Sequence, residues 1–395
     1  MNKKTVTGKQ YKELLLALAI FSLGLLLRLL FFTSGSADTY AFELWFKSVR
    51  EAEGLSVFRD FLGDYNVPYI AVMYFVTKLP FSDFVCVKLV ALAFDLLGPV
   101  AGYLIASELA GEAGKRPSEV KHFGLLGMAL IWLSPITIGN AGYQAQLEAM
   151  WAFTGFLAVY LFWKKHPAWG MAFWAVSFAM KPQGVFFLPF ILLYYYRSRS
   201  FSVLHFLIVP VVIQVLSIPS MLAGNSFFYF WKYFLGQSGR YPFVYYYYPN
   251  IWIWMRDLPY YVFGKVGIGM MITAFALVTV GLAAKCEERE WKFVNDLELL
   301  VWSLMTCAMF LPAMHERYNY PAEVMLPVLA VFDKKYRIPA AVLVLSGFLC
   351  NGMSYYGWGK REFYSLSVLN MAVYAFLCFG VIRTLRSKPK KGAGV

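Results

Sequence analysis

The run LLLALAIFSLGLLLRLLFF, Leu14 to Phe32, holds one charged residue, Arg28. A helix crossing the ~30 Å hydrocarbon core of a bilayer needs about 20 mainly apolar residues, at ~1.5 Å of rise each. The run meets that length, and no small-residue cleavage site follows it. It therefore reads as a retained first membrane helix rather than a removed signal peptide. Moving outward, apolar helical runs recur at roughly 84–107, 121–138, 148–163, 168–180, 183–196, 202–222, 263–284, 293–312, 320–332, 338–352 and 364–382. With the first, they make about a dozen spans. Several are short, as expected of tilted helices or helices broken beside a cavity.

Composition agrees. The 395 residues are 59% hydrophobic and only 15% charged, against about 25% charged in soluble domains. That excludes a soluble enzyme, a disordered chain and a nucleic-acid-binding module, despite a net charge of +13. No repeat and no Ser/Gly linker divides the chain, so residues 1–395 read as one all-α polytopic membrane domain. Five cysteines (Cys86, Cys286, Cys307, Cys350, Cys378) are scattered, mostly in or beside apolar runs, and read as small buried hydrophobes. Four scattered histidines suggest no metal cage.

Lysine and arginine set the orientation, because cytoplasmic loops concentrate them. Lys3, Lys4, Lys9 and Lys12 open the chain, and Arg383, Arg386, Lys388, Lys390 and Lys391 close it. Between them lie Lys115/Arg116/Lys121, Lys164/Lys165, Arg197/Arg199, Lys285/Arg289/Lys292 and Lys334/Lys335/Arg337. These short segments hold 22 of the 36 basic residues. They share one side only if Val67–Pro80 is not a full crossing. Residues 33–82 then form a long first external loop with short helical or re-entrant pieces, and residues 223–262 a second. Both termini are expected in the cytoplasm.

On the opposite face this places Asp38, Asp64, Gln144, Gln146, Glu148, Lys181, Gln183, Arg240, Asn250, His315, Glu316 and Arg317. Polar groups at membrane depth are costly, so such a gathering predicts a shared aqueous cavity. Asp38 stands just past the first helix, either as a general base for a hydroxyl nucleophile or as the cap of a helix over Thr39–Arg50. Arg28 is placed to pair with a lipid phosphate or to snorkel. If the chain from Gln144 is helical, Gln144 and Glu148 share a face and Gln146 points elsewhere. These groups suit sugar hydroxyls; equally, Glu148 fits a helix N-terminus by the dipole alone. Lys181, before Pro182-Gln183, is either a ligand for an anion such as phosphate or a snorkelling side chain. In His315-Glu316-Arg317-Tyr318 the histidine and arginine can donate to phosphate oxygens, and Glu316 can hold one of them. Phe227 to Trp254 reads mostly as an interfacial aromatic belt.

Taken in order, these motifs resemble the GT-C superfamily of polyprenyl-phosphate-sugar-dependent glycosyltransferases. The nearest likeness is to the ER glucosyltransferases using dolichyl-phosphate glucose and to bacterial relatives of the second GPI mannosyltransferase. The family's loop aspartate before an aromatic segment is matched by Asp38 before Trp45, and its D-Y-P-P element by Asp64-Tyr65-Asn66-Val67-Pro68, with an insertion and one proline fewer. Its Q-x-D is matched by Gln146-Leu147-Glu148, and its K-P turn by Lys181-Pro182-Gln183. Its N-x-W is matched by Asn250-Ile251-Trp252, and its H-E-K/R by His315-Glu316-Arg317.

The resemblance implies a GT-C-like bundle that moves a hexose, mannosyl or glucosyl, from a polyprenyl-phosphate donor. The acceptor would be a hydroxyl of a glycan, glycolipid or cell-wall polymer at the outer face of a prokaryotic plasma membrane. It implies Asp38 as base of an inverting displacement. His315, Arg317, Lys181 and Arg28 would hold the donor phosphate. Asp64, Tyr65, Gln144, Gln146, Glu148, Gln183, Asn250, Trp252 and Glu316 would shape the substrate site. Neither metal nor other cofactor is expected, and membrane lipid is the surrounding partner. Two rivals remain at this level: a secondary transporter or lipid flippase, and a non-catalytic subunit of an envelope-glycan assembly complex.

Overall fold

A computed structural model describes residues 8–60, 63–237, 239–285, 291–355 and 363–386. Lys3, Lys4, Cys286, Arg289, Lys388, Lys390 and Lys391 lie outside the described residues. Helices and the turns between them make up the described chain, with no sheet among those residues.

The first apolar run becomes α1 (Gly8–Leu29). The long loop after it carries α2 (Ala37–Glu51) and the short apolar α3 (Val67–Val76). At ten residues, α3 rises only ~15 Å, half of a hydrocarbon core. Next come α4 (Asp83–Asp95) and α5 (Leu97–Glu112), then α6 (Pro117–Trp132) and α7 (Glu148–Trp163). They are followed by α8 (Pro167–Met180), α9 (Leu188–Ser198) and α10 (Ile208–Leu216). The second loop carries α11 (Tyr229–Gly236). The chain then runs through α12 (Tyr260–Lys285), α13 (Phe293–Phe310), α14 (Tyr320–Phe332), α15 (Arg337–Tyr355) and α16 (Tyr364–Arg386).

Among the described residues five helical segments are long and apolar enough to cross a membrane: 83–112, 260–284, 293–310, 334–354 and 364–386. A sixth follows if the pair bent by 42° after Trp132 is one span. The break has a local cause, since Ser134-Pro135 ends α6 and the chain passes through a π-helical turn, Ile138–Tyr143. These segments mark an integral membrane protein. The dozen crossings expected from hydropathy are not all present as full-length helices. Several of the runs fold as shorter pieces, α7, α10 and α14 among them.

The core lies where apolar faces meet on all sides. Every described contact face of α13 is largely enclosed, whereas α12 stands at the periphery with most of its surface bare. Close backbone approach joins α5 to α6, and a Cβ added at Gly102 would fall 2.5 Å from the Gly127 carbonyl oxygen. A smaller apolar cluster seats the first loop: Phe42, Phe46, Tyr69 and Met73 of α2 and α3 pack on Val87 and Val90 of α4. Arg50 fastens the same corner by donating to Asp83 at 2.7 Å.

Arg28 corrects the reading drawn from its position. It neither snorkels nor faces lipid, being almost wholly buried and ion-paired with Asp95. It donates to the carbonyl oxygens of Gly24 (2.9 Å) and Trp132 (2.8 Å) and to Thr137 Oγ1 (3.1 Å), and it stacks 3.5 Å from the Trp132 ring centroid. Gly24 leaves the room that this stack needs, since a Cβ there would overlap the indole.

Candidate functional site

The cap of α2 decides where Asp38 points. Ser36 Oγ accepts from Thr39 N while Thr39 Oγ1 accepts from Ser36 N, a reciprocal capping box. Ser36 is thus the cap, and Asp38, in the first helical turn, is left to face a cavity. The carboxylate is about one-third exposed, 37%.

The segment joining the π turn to α7 brings the next groups. Its backbone is irregular, with Ala145 at φ 51°, and buried irregular backbone must find partners for its carbonyls. Lys88 supplies them from α4, donating to Gly142 O at 2.7 Å and Tyr143 O at 2.9 Å. Thr39 Oγ1 donates to Gln144 O at 2.8 Å. Held this way, Gln144 turns towards α15 and donates to Asn351 Oδ1 at 3.2 Å. Gln146 donates to Asp38. The helical-face expectation therefore fails. Gln144 and Gln146 both precede α7; Gln146 reaches Asp38, while Gln144 Oε1 and Glu148 Oε2 share the Asn140 amide as donor, at 3.5 and 3.4 Å.

Glu148 is fully enclosed yet shared by two cations and one amide donor. Its Oε1 ion-pairs with Lys181 and lies 3.5 Å from Arg317 Nε, and its Oε2 accepts from Asn140 at 3.4 Å. Arg317 also reaches Asp38 at 3.5 Å and pairs with Glu316. A continuous charge network thus runs from Lys181 through Glu148 and Arg317 to Asp38. Lys181 sits where Pro182 ends α8, with Tyr65 and Tyr318 rings each 5.6 Å from its amine. Burial pushes that amine below its ordinary value, while Glu148 pulls it back up. His315 is enclosed by Tyr241, Tyr246 and Tyr318, with ring centroids at 5.2, 4.5 and 4.8 Å. Burial, reinforced by Arg317 and Lys181, draws the imidazole down to about 2, so it is neutral and can still donate one N–H.

These groups face a cavity of about 640 Å³. Of the residues expected at a site, Asp38, Asp64, Tyr65, Lys181, Gln183, His315, Glu316 and Arg317 line it. Gln146 and Glu148 form the layer beneath and orient the lining groups. Gln183 Oε1, buried, has no hydrogen-bond partner among the described residues. Asp64 pairs with Arg240 at the rim, where Gln237 donates to Asp64 O at 2.8 Å.

Besides Gln144, which does not line it, three expected residues do not reach the cavity. Arg28 is committed to Asp95. Asn250 is the cap of a 3-10 turn, accepting from Trp252 N (3.0 Å) and donating to Ala308 O (3.0 Å). Trp252 donates to Phe310 O at 2.8 Å, so both residues clamp the end of α13. Conversely, Tyr241, Tyr246 and Tyr247 line the cavity, although nothing in their local sequence separates them from the buried Tyr248. No group of three His, Cys, Asp or Glu side chains that could hold a metal ion occurs among the described residues. The described cysteines are unpaired thiols, buried or nearly so.

The arrangement sets a partly exposed carboxylate beside two cations and a neutral imidazole in an aromatic-walled space. It can accept a proton at Asp38 and stabilise an anion at Lys181 and Arg317. Comparison of the chain with protein-family models and with curated proteins finds no match.

Proposed function

We propose that this protein is an integral membrane glycosyltransferase of GT-C type, moving a hexose from a polyprenyl-phosphate donor to an acceptor hydroxyl at the extracytoplasmic face. The observation that carries the reading is the cavity itself. Asp38, Lys181 and the His315/Arg317 pair come from three separate segments and face one space of about 640 Å³, within the ~300–1,000 Å³ of small-molecule sites. In this reading Asp38 takes the proton as the acceptor oxygen attacks the anomeric carbon, and one direct displacement inverts that centre. The polyprenyl phosphate leaves already charged, so no proton donor is required there. Lys181, Arg317 and the His315 N–H meet the negative charge that grows on it, an electrostatic task that usually supplies the largest share of rate enhancement. Tyr241 and Tyr246 offer ring faces to the sugar.

The same reading takes the shorter apolar helices as completing about twelve tilted or broken crossings, with both termini cytoplasmic. The test is transfer of labelled sugar from a synthetic polyprenyl-phosphate hexose by the purified chain in liposomes. Asp38→Asn keeps an acceptor for Gln146 and removes the base, and it is expected to lower the rate by about 10²–10⁴. Full activity of Asp38→Asn would overturn the assignment of the base. Uptake of the donor without transfer would overturn the enzyme.

A further inference from the structure

A second large space lies on the bundle surface between α6, α14 and α15. Its volume is about 740 Å³, and its walls are apolar apart from Ser134 at one end and Arg337 at the other. Small side chains open it, among them Ala129 of α6, Ala330 of α14 and Ala341 of α15, beside the mid-helix Pro327. Arg337 begins α15 and is exposed, and it has no carboxylate partner among the described residues. Lys334, three residues earlier, is exposed as well. Lys115 adds a third cation at this end: its amine stands 5.8 Å over the Phe123 ring, and Phe123 packs on Phe332 next to the lining residue Val331.

Length identifies what fits. From Arg337 to Phe348, the limits of the groove on α15, the helix rises about 16 Å. One leaflet of a ~30 Å hydrocarbon core is about 15 Å deep. The groove is therefore one leaflet deep, with its charge at the headgroup level. The other end of α15 carries Ser354, which lines the site cavity, some 25 Å away along the helix. The groove thus opens to the leaflet opposite the cavity.

We propose that this groove is a binding site for one anionic glycerophospholipid of that opposite leaflet, its acyl chain against Ala129, Ala330 and Ala341 and its phosphate on Arg337. Juxtamembrane cations attract anionic lipid at about 1 kcal/mol each, which corresponds to about a fivefold preference.

The test is native mass spectrometry of the full chain, titrated separately with phosphatidylglycerol and phosphatidylcholine of identical acyl chains. The expected result is one retained phosphatidylglycerol, favoured about fivefold or more. Arg337→Gln is expected to lower the preference about fivefold, and Ala341→Trp to abolish retention of both lipids. Because Arg337 is exposed, its variant decides the matter even if the tryptophan variant does not fold. Equal retention of the two lipids by the unmodified chain would overturn the proposal. So would a preference unchanged by Arg337→Gln, or displacement of phosphatidylglycerol by a polyprenyl phosphate at equal concentration.

Discussion

Replacing Glu148 by glutamine preserves side-chain shape and removes one charge from a place where Lys181 and Arg317 both depend on it. The magnitude can be worked two ways. At the 3.5 Å separating Arg317 Nε from Glu148 Oε1, an effective dielectric of ~20 gives an attraction of about 4.7 kcal/mol. Removing one member of a buried pair costs about 3–5 kcal/mol in practice. The stranded Lys181 amine has an escape, because it can shed its proton. From an ordinary value of ~10.4, deprotonation at pH 7 costs at most about 4.6 kcal/mol, and burial has already brought the amine lower. Both routes converge on about 3–5 kcal/mol. For 395 residues at about 2.1 cal/mol/K each, the melting temperature is expected to fall by roughly 4–6 °C.

The assay is thermal melting of the purified protein in detergent, at pH 7 and again at pH 9. In the Glu148→Gln chain the folded state holds Lys181 neutral, whereas the unfolded chain keeps it protonated up to about pH 10. The unfolded state then binds more protons, so stability rises with pH and the deficit against wild type narrows at pH 9. Adding Lys181→Met removes the stranded charge and is expected to recover at least about half of the loss. Melting within about 1 °C of wild type at pH 7 would refute the reasoning. A deficit that stays constant with pH would refute the lysine as its cause.

The remaining expectations concern single groups. His315 is held near 2 in the folded state against ~6.5 when unfolded, so its contribution is complete above pH ~6.5 and is lost as pH falls towards the folded value. Melting is expected to lose at most about 1.4 kcal/mol per pH unit in that window, and His315→Gln should flatten the curve between pH 6 and pH 5. Gly102→Ala sets a methyl against the Gly127 carbonyl and is expected to cost about 1–3 kcal/mol in melting; a neutral result would show that α5 and α6 can part. Arg240→Ala breaks a pair whose partners are 44% and 38% exposed and should leave melting within about 0.5 kcal/mol of wild type. A larger drop would mean that this rim contact holds the second loop in place.

Much of the architecture was legible because its signals are local. Apolar length reports the membrane, and proline with serine reports the breaks at Ser134-Pro135 and Lys181-Pro182. That polar groups from distant segments would share a cavity was legible too, since polar side chains are sparse in so apolar a chain. Less legible was which of them meet. Arg28 looked like the other candidate cations in sequence, but Asp95, 67 residues away, captures it. Asn250-Ile251-Trp252 looked like a site motif and proves to cap a turn and clamp α13.

The sequence by itself determined an all-helical membrane chain. Hydrophobic length and charge placement act residue by residue, so they need no knowledge of neighbours. Only the tertiary structure decided that Gln146 and Glu148 stand beneath the cavity, orienting Asp38, Lys181 and Arg317, and that three tyrosines of the aromatic loop line it. The reason is that an irregular segment takes its course from whatever satisfies its backbone. Here Lys88 and Thr39, far away in the chain, supply the donors for Gly142, Tyr143 and Gln144, and no periodicity within the segment encodes them.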